Sequence, residues 1–364
     1  MKDIIFAYNK EKGEVFLKQL IGKKPLFTCV IGVTETAKIP GISAAGKNPE
    51  LTNYTPPADV ELLLFGRCKC ITGVPVTPEG IPTPALIARA ALKLADIPAL
   101  IVSGGLKIKP QTPFVELGGS PGRDIRTGNA VDAVKEVMEK ATVMGRNLAK
   151  TVDYLVVGES IPCGTTTALG VLLAMGVNAE GKVSSSMPNN PHRLKIETVK
   201  AGLEASGIKF GDLAANPLKA ISCVGDPVMP AFTGLVIGAA DRVPVLMAGG
   251  TQMSAMLAII KVLKPEVLDN LAIGTTRWIV SDRSADLIGL VKQIADIPIL
   301  AINLDFSYSK FEGLKAYEAG AVKEGVGAGG ACIAAILKSK GEVSTEKIFM
   351  EVEKAYSQLK HGEL

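Results

Sequence analysis

Seven short runs of this sequence are apolar with little polar alternation, and they constrain the architecture more than any other feature. They are Leu26–Val33, Val60–Phe65, Ala99–Ser103, Tyr154–Val157, Ala220–Val224, Val243–Met247 and Ile297–Ile302, with Ile279-Val280 as a short further candidate. A strand with one wet face alternates apolar and polar residues. A continuous run implies burial on both faces, as in a parallel sheet covered by helices. Helical patterns separate the runs, near 82–95, 129–149, 165–176, 191–206, 229–240, 252–263, 283–295, 310–319, 328–338 and 344–360. The expected fold is α/β: a Rossmann-like, three-layer, mostly parallel sheet with helices on both faces. With 364 residues and 47% apolar content, one large domain can bury a substantial core. The last pattern carries Ile348, Val352, Tyr356 and Leu359 on one face. It is expected to pack with Glu14–Ile21 as a small helical cap. The expected division is therefore an α/β catalytic domain over 22–340 and a helical subdomain from 1–21 and 341–364.

Composition removes several function classes. Formal net charge is +4, charged residues are 21% and interspersed, and aromatics are 5%, so neither a basic face nor a base-stacking surface is expected and no nucleic-acid partner is predicted. The first residues, MKDIIFAYNKEKGEVFLK, lack a long apolar segment, so no signal peptide is expected. The long uncharged run Val243–Ile260 is interrupted by Pro, two Gly, Thr, Gln and Ser. It reads as a buried strand, a turn and a buried helix, not as a membrane span. A cytoplasmic protein is expected. Of six cysteines most lie in apolar runs, Cys68-Lys69-Cys70 is not a zinc spacing, and only His192 and His361 are histidines. No metal and no cofactor are predicted.

Two loops carry chemistry. In Tyr154–Met175 an apolar strand is followed by Gly158-Glu159-Ser160, read as a polar turn, then by Ile161-Pro162-Cys163-Gly164-Thr165-Thr166-Thr167 and a helix. Free N–H groups and the dipole at such a helix start suit an anion, phosphate above all. An ordinary strand-to-helix turn with a Thr cap is the other reading. The spacing is neither Walker A nor GxGxxG. The second loop, Val322–Ala331 (VKEGVGAGGA), sets Glu324 in a run of Gly and Ala. Glycines admit a ligand close to the backbone, and a poorly solvated carboxyl can serve as a general base. Lys195 lies beside the Ile196, Val199, Leu203 stripe of the helix that begins at Asn190-Pro191. It points either to a ligand or to solvent. The loops after Val157, Val224 and Met247 would open on one edge of the sheet, where such folds bind ligands.

These two loops and the Lys, in this order, resemble the nicotinate-nucleotide:dimethylbenzimidazole phosphoribosyltransferase superfamily, and most closely its archaeal-type branch. The likeness covers roughly 150–335. Glu159, Gly164, Thr165 and Thr166 stand where that family binds the nucleotide phosphate, and Lys195 stands at its helix lysine. Glu324-Gly325-Val326-Gly327-Ala328 matches its catalytic Glu-Gly-x-Gly-Ala pattern. Asp241–Met247 matches the strand between them, with Ala248 where an Asp is usual. The phosphate turn has Ile161-Pro162-Cys163 where the family has more Gly, and Thr34-Glu35-Thr36 occupies the neighbourhood of its Asp-His pair. The aromatic-base loop corresponds to 77–84, with no equivalent for its Gln.

The resemblance implies transfer of the 5-phosphoribosyl group of nicotinate mononucleotide to an aromatic base of dimethylbenzimidazole type. Nicotinate is released and an α-ribazole-type phosphate forms, for the lower ligand of a cobamide. It implies Glu324 as general base with Glu312 as backup. Glu159, Gly164, Thr165, Thr166, Lys195, Gly325 and Gly327 would hold phosphate and ribose. It also implies a homodimer. Arg123 and Arg126, in Leu117–Gly128, are candidates for a second anion or for a solvated turn. A protein that only binds a nucleotide or cobamide precursor, or a different enzyme acting on a nicotinate nucleotide, are the other readings.

Overall fold

The computed structural model describes residues 2–46 and 48–361. Eight strands form one sheet in the order β1-β8-β7-β6-β5-β2-β3-β4. They are β1 (Ile4–Tyr8), β2 (Pro25–Gly32), β3 (Ala99–Gly105), β4 (Val115–Glu116), β5 (Tyr154–Ser160), β6 (Val245–Ala248), β7 (Leu271–Thr276) and β8 (Ile299–Ile302). Every pair is parallel except β1 with β8. The central strands are buried on both faces, as the apolar runs require. Leu155 and Val157 of β5 join one core with helices Val134–Leu148, Val228–Ala240 and Gln252–Leu263. Tyr154 and Val156 join the other with Ala85–Leu94, Ala328–Lys338 and Thr345–His361. Among the described residues, no helix is long and apolar enough to cross a membrane.

The winding fixes where a ligand can enter. From β2 the chain moves outward through β3 to β4. It then returns to place β5 on the other side of β2 and continues outward to β8. Loops leaving β2 and β5 diverge and leave a crevice beyond their carboxyl ends, the usual ligand position in such sheets.

Several expected elements differ. Val60–Phe65 lies in a helix, Thr55–Phe65, which starts on Pro56 and Pro57 and ends at Gly66 in the left-handed region (φ 78°). Ala220–Val224 lies in the helix Pro217–Val224, where the Asn216 side chain accepts from Lys219 N (3.3 Å). Ile279-Val280 belongs to a short helix, Arg277–Val280, and the strand is the segment before it, β7. Gly158-Glu159-Ser160 is no turn, because β5 continues through Ser160. Of the termini, residues 4–8 pair with β8 as a strand of the main sheet. Helix Lys10–Leu20 packs on Ala328–Lys338, and Thr345–His361 packs on Ala85–Leu94.

Candidate functional site

A cleft lies at the crevice between the β2 and β5 loops, and three walls build it. The first wall is the turn after β5. Cys163 takes a left-handed conformation (φ 69°) and starts the helix Gly164–Ala174. Gly164 lies close under Gln252, and a Cβ there would come within 2.4 Å of Gln252 Nε2 and displace that side chain. Thr165 faces the cleft. Thr166 does not: it is fully buried in the helix, so the expected Thr pair reduces to one member at the surface. Thr167 turns inward and donates to Asp226 Oδ2 (2.5 Å). Behind Thr165 sits Lys195, with no exposed surface. Its ammonium donates to Thr165 Oγ1 (3.1 Å) and to the Ser184 carbonyl (2.5 Å), both neutral. Burial pulls its pKa down to about 8. A buried cation with neutral partners, backing a helix N-terminus and Ser184, Ser185 and Ser186, is suited to an incoming anion.

The second wall is the segment 322–327. Val322, Lys323 and Val326 all have positive φ (60°, 52° and 53°), a costly run for residues with side chains. Lys323 is pinned by a buried ion pair with Asp282 (3.0 Å), and Val326 N donates to the Glu159 carbonyl (2.9 Å). Gly327 (φ 63°) passes over Gly158 so closely that a Cβ on Gly158 would lie 2.8 Å from Gly327 Cα. This course brings Glu324 into the cleft at the start of the helix Ala328–Lys338. Its carboxylate accepts from Gly325 N (3.1 Å) and Gly329 N (3.2 Å). Those bonds favour the charged form, but burial outweighs them and raises the pKa to about 8. Gly325 lines the cleft beside it. Glu159, at the end of β5, is also raised to about 8, by burial first and then by the facing charges of Asp226 and Glu324. It accepts from Gln252 Nε2 (3.1 Å).

The third wall is the loop 75–84 that precedes the helix Ala85–Leu94, placing the segment expected to meet the base at the cleft. Asp59 backs it from the helix Thr55–Phe65. Its Oδ1 accepts from Thr83 Oγ1 and its Oδ2 from Ser160 Oγ, both at 2.7 Å. Burial lifts its pKa to about 6 against those two bonds. Asp59 and Gln252 were not singled out in the sequence. Asp59 immediately precedes Val60–Phe65, the segment expected to be a strand, and Gln252 lies one residue past the Gly-Gly-Thr that follows β6.

Other expected residues lie elsewhere. Glu312 does not reach the cleft: its side chain is 86% exposed and pairs with Lys315 (2.8 Å), which removes it as a backup base. Arg123 is held by Asp132 (2.5 Å) and Arg126 by Asp124 (2.6 Å), so both serve a solvated turn. His192 Nε2 lies 2.8 Å from the Ser284 carbonyl. Among the described residues, no three His, Cys, Asp or Glu side chains converge as a metal-holding set.

A phosphoribosyltransferase family profile matches residues 87–283, which supply the phosphate wall but neither Asp59 nor Glu324. A UPF0284 protein of Sulfolobus acidocaldarius is 46% identical, covering 94% of this chain and 99% of that protein. A UPF0284 protein of Pyrococcus furiosus is 47% identical, covering 92% and 99%. Among solved structures, CobT from Thermus thermophilus superposes with a TM-score of 0.58 at 16% identity, covering 90% of this chain and 89% of that one. A nicotinate-nucleotide-dimethylbenzimidazole phosphoribosyltransferase structure from the same organism gives 0.56 at 16% identity, covering 90% and 88%. At that identity the likeness is one of fold.

Proposed function

Because this chain belongs to the phosphoribosyltransferase family, alongside archaeal UPF0284 proteins, we propose that it moves the 5-phosphoribosyl group of nicotinate mononucleotide to a heteroaromatic base. One juxtaposition carries the reading. A phosphate-suited end (Gly164, Thr165 and the buried Lys195) and a buried carboxyl with raised pKa, Glu324, meet in a single cleft.

The chemistry follows from the groups present. Nicotinate in this nucleotide is a pyridinium, so the C1′–N bond breaks with its electron pair returning to the ring nitrogen, and neutral pyridine nitrogen leaves. A ring nitrogen of the acceptor attacks C1′ from the opposite face and forms the new bond with inversion. The acceptor's N–H proton passes to Glu324. The 5′-phosphate sits at the Gly164 helix start, where the dipole, the Thr165 hydroxyl and the Lys195 charge meet. Glu159, steadied by Gln252, faces the ribose hydroxyls. The pyridinium charge favours ionisation of both carboxyls when substrate is bound. Gly325 lets the backbone close over the sugar, whereas Gly327 packs on Gly158 and Ala248 of the sheet, outside the cleft lining, and so is no ribose contact. Two copies of the chain form the working unit by analogy with the family.

Nicotinate release tests this directly. Purified protein is incubated with nicotinate mononucleotide with and without a panel of bases, and free nicotinate and new nucleotide are followed by chromatography. Base-dependent release is expected, reduced about a hundredfold or more in Glu324→Gln with nucleotide binding near normal. Binding of the nucleotide with no release under any base would replace transfer by a binding role. Release without added base would indicate a hydrolase.

A further inference from the structure

We infer that the acceptor is a heteroaromatic base bearing an exocyclic N–H donor, such as an amino group, and that Ser160 and Thr83 select it because Asp59 fixes both hydroxyls as hydrogen-bond acceptors. The inference rests on the transfer reading above.

A hydroxyl has one proton and two lone pairs. Ser160 spends its proton on Asp59 Oδ2 and Thr83 spends its own on Asp59 Oδ1, each at 2.7 Å. With both protons directed at the two carboxylate oxygens of Asp59, neither is available to a ligand. Thr83 gives one lone pair to Ala85 N (3.2 Å). What the two hydroxyls can still offer a ligand is lone pairs. Both side chains line the cleft and both are buried. A base without a donor would cover these oxygens and leave them unsatisfied, at a penalty that mutational series place at about 1–3 kcal/mol per group. A base with an N–H donor satisfies them.

Position separates this pair from the ribose. Pro84, next to Thr83, packs on Gly325, the residue after the proposed base. The proton that Glu324 removes belongs to the acceptor, so the side chains packed on Gly325 face the acceptor. Glu159 and Gln252 lie instead against Gly164, at the phosphate end. The 75–84 loop is held in place at Pro82, whose carbonyl accepts from the buried Tyr317 hydroxyl (2.8 Å).

The test compares matched acceptors on the full-length protein at saturating nicotinate mononucleotide. Benzimidazole is set against 4-amino-, 5-amino- and 5,6-dimethylbenzimidazole, and purine against adenine, with kcat/KM taken from nicotinate release. At least one amino base is expected to exceed its parent about tenfold or more. That ratio should fall to within about twofold in Ser160→Ala and shrink in Asp59→Asn, whose amide can accept from only one of the two hydroxyls. Should Asp59→Asn not fold, Ser160→Ala alone decides. Base-dependent release with no amino preference overturns the assignment and leaves the transfer reading intact. So does a rise in KM for nicotinate mononucleotide that is the same with every base, which would give Ser160 to the ribose. No release with any base overturns the transfer reading and this assignment together.

Discussion

Glu324 keeps its proton until pH approaches about 8, and a protonated carboxyl is no base. Turnover should therefore climb with pH. We expect kcat/KM to rise between pH 6 and 9 with an apparent midpoint near 8, and a flat profile would remove Glu324 from the proton transfer. The Glu324 charge helps to raise Glu159, and because repulsion between two charges acts on both, the midpoint belongs to the pair. Glu159→Gln deletes one facing charge and should shift the profile toward acid. Much of the candidate site was legible at this scale, because Glu324, Gly164 and Thr165 stand on loops or helix starts built of small residues, which admit a ligand or another backbone, and Lys195 stands in the first turn of a helix. Thr166 and Thr165 differ by a single helical step of about 100°, which sequence alone does not orient. Asp59 was illegible for another reason. Its partners, Thr83 and Ser160, are 24 and 101 residues away, so only the fold brings the three together. Glu312 misled because a Gly beside a Glu looks the same in a solvated first turn as in a cleft.

Elements decide how firmly Glu324 is held. The helix Ala328–Lys338 lies almost on the sheet backbone: a Cβ on Gly329 would strike the Thr275 backbone, and one on Gly330 would strike Ala248 Cβ. The same closeness explains why Ala248 ends β6, since a carboxylate there would be driven into this helix. Gly330→Ala should push the helix start off the sheet, lowering stability by about 1–3 kcal/mol, and should also lower kcat because Gly329 N positions the Glu324 carboxylate. Thermal melting and single-turnover rates check it, and unchanged values in both would mean the helix has room to spare. Misreadings at this scale have a common cause. Val60–Phe65 and Ala220–Val224 are short apolar runs, which periodicity cannot assign to helix or strand. The deciding signals lay upstream, in Pro56-Pro57 and in Asn216-Pro217, where proline starts a helix. β7 was missed because Gly274 interrupts it, and that glycine is where Gly330 Cα rests, 3.0 Å from the Cβ position.

Across the whole molecule, the winding of the sheet collects buried ionisable groups at its carboxyl edge, and the protein's stability should record them. Glu159 and Glu324 have native pKa values raised to about 8, and Asp59 and Asp226 to about 6. A raised carboxyl prefers its proton in the folded state. Its stabilising contribution is complete below its unfolded pKa and is lost as pH rises through the folded one. Stability should thus decline between pH 5 and 8, and Glu324→Gln should melt higher than the parent at pH 8 although its turnover is reduced. Lys195 works in the opposite window: its folded pKa is lowered to about 8, so its charged form penalises the fold below pH 8 and the penalty fades as pH rises above it. Near neutral pH the empty cleft therefore carries a desolvated ammonium that a phosphate would compensate. Nicotinate mononucleotide at a hundred times its Kd should stabilise the protein by about 2.7 kcal/mol. Lys195→Met keeps the side-chain volume and removes the charge. It should raise the melting temperature of the empty protein at pH 7 and abolish most of the nucleotide-induced rise. If Lys195→Met instead melts lower and still responds to nucleotide, the ammonium is a structural tie between Thr165 and Ser184, and the phosphate is held elsewhere in the cleft.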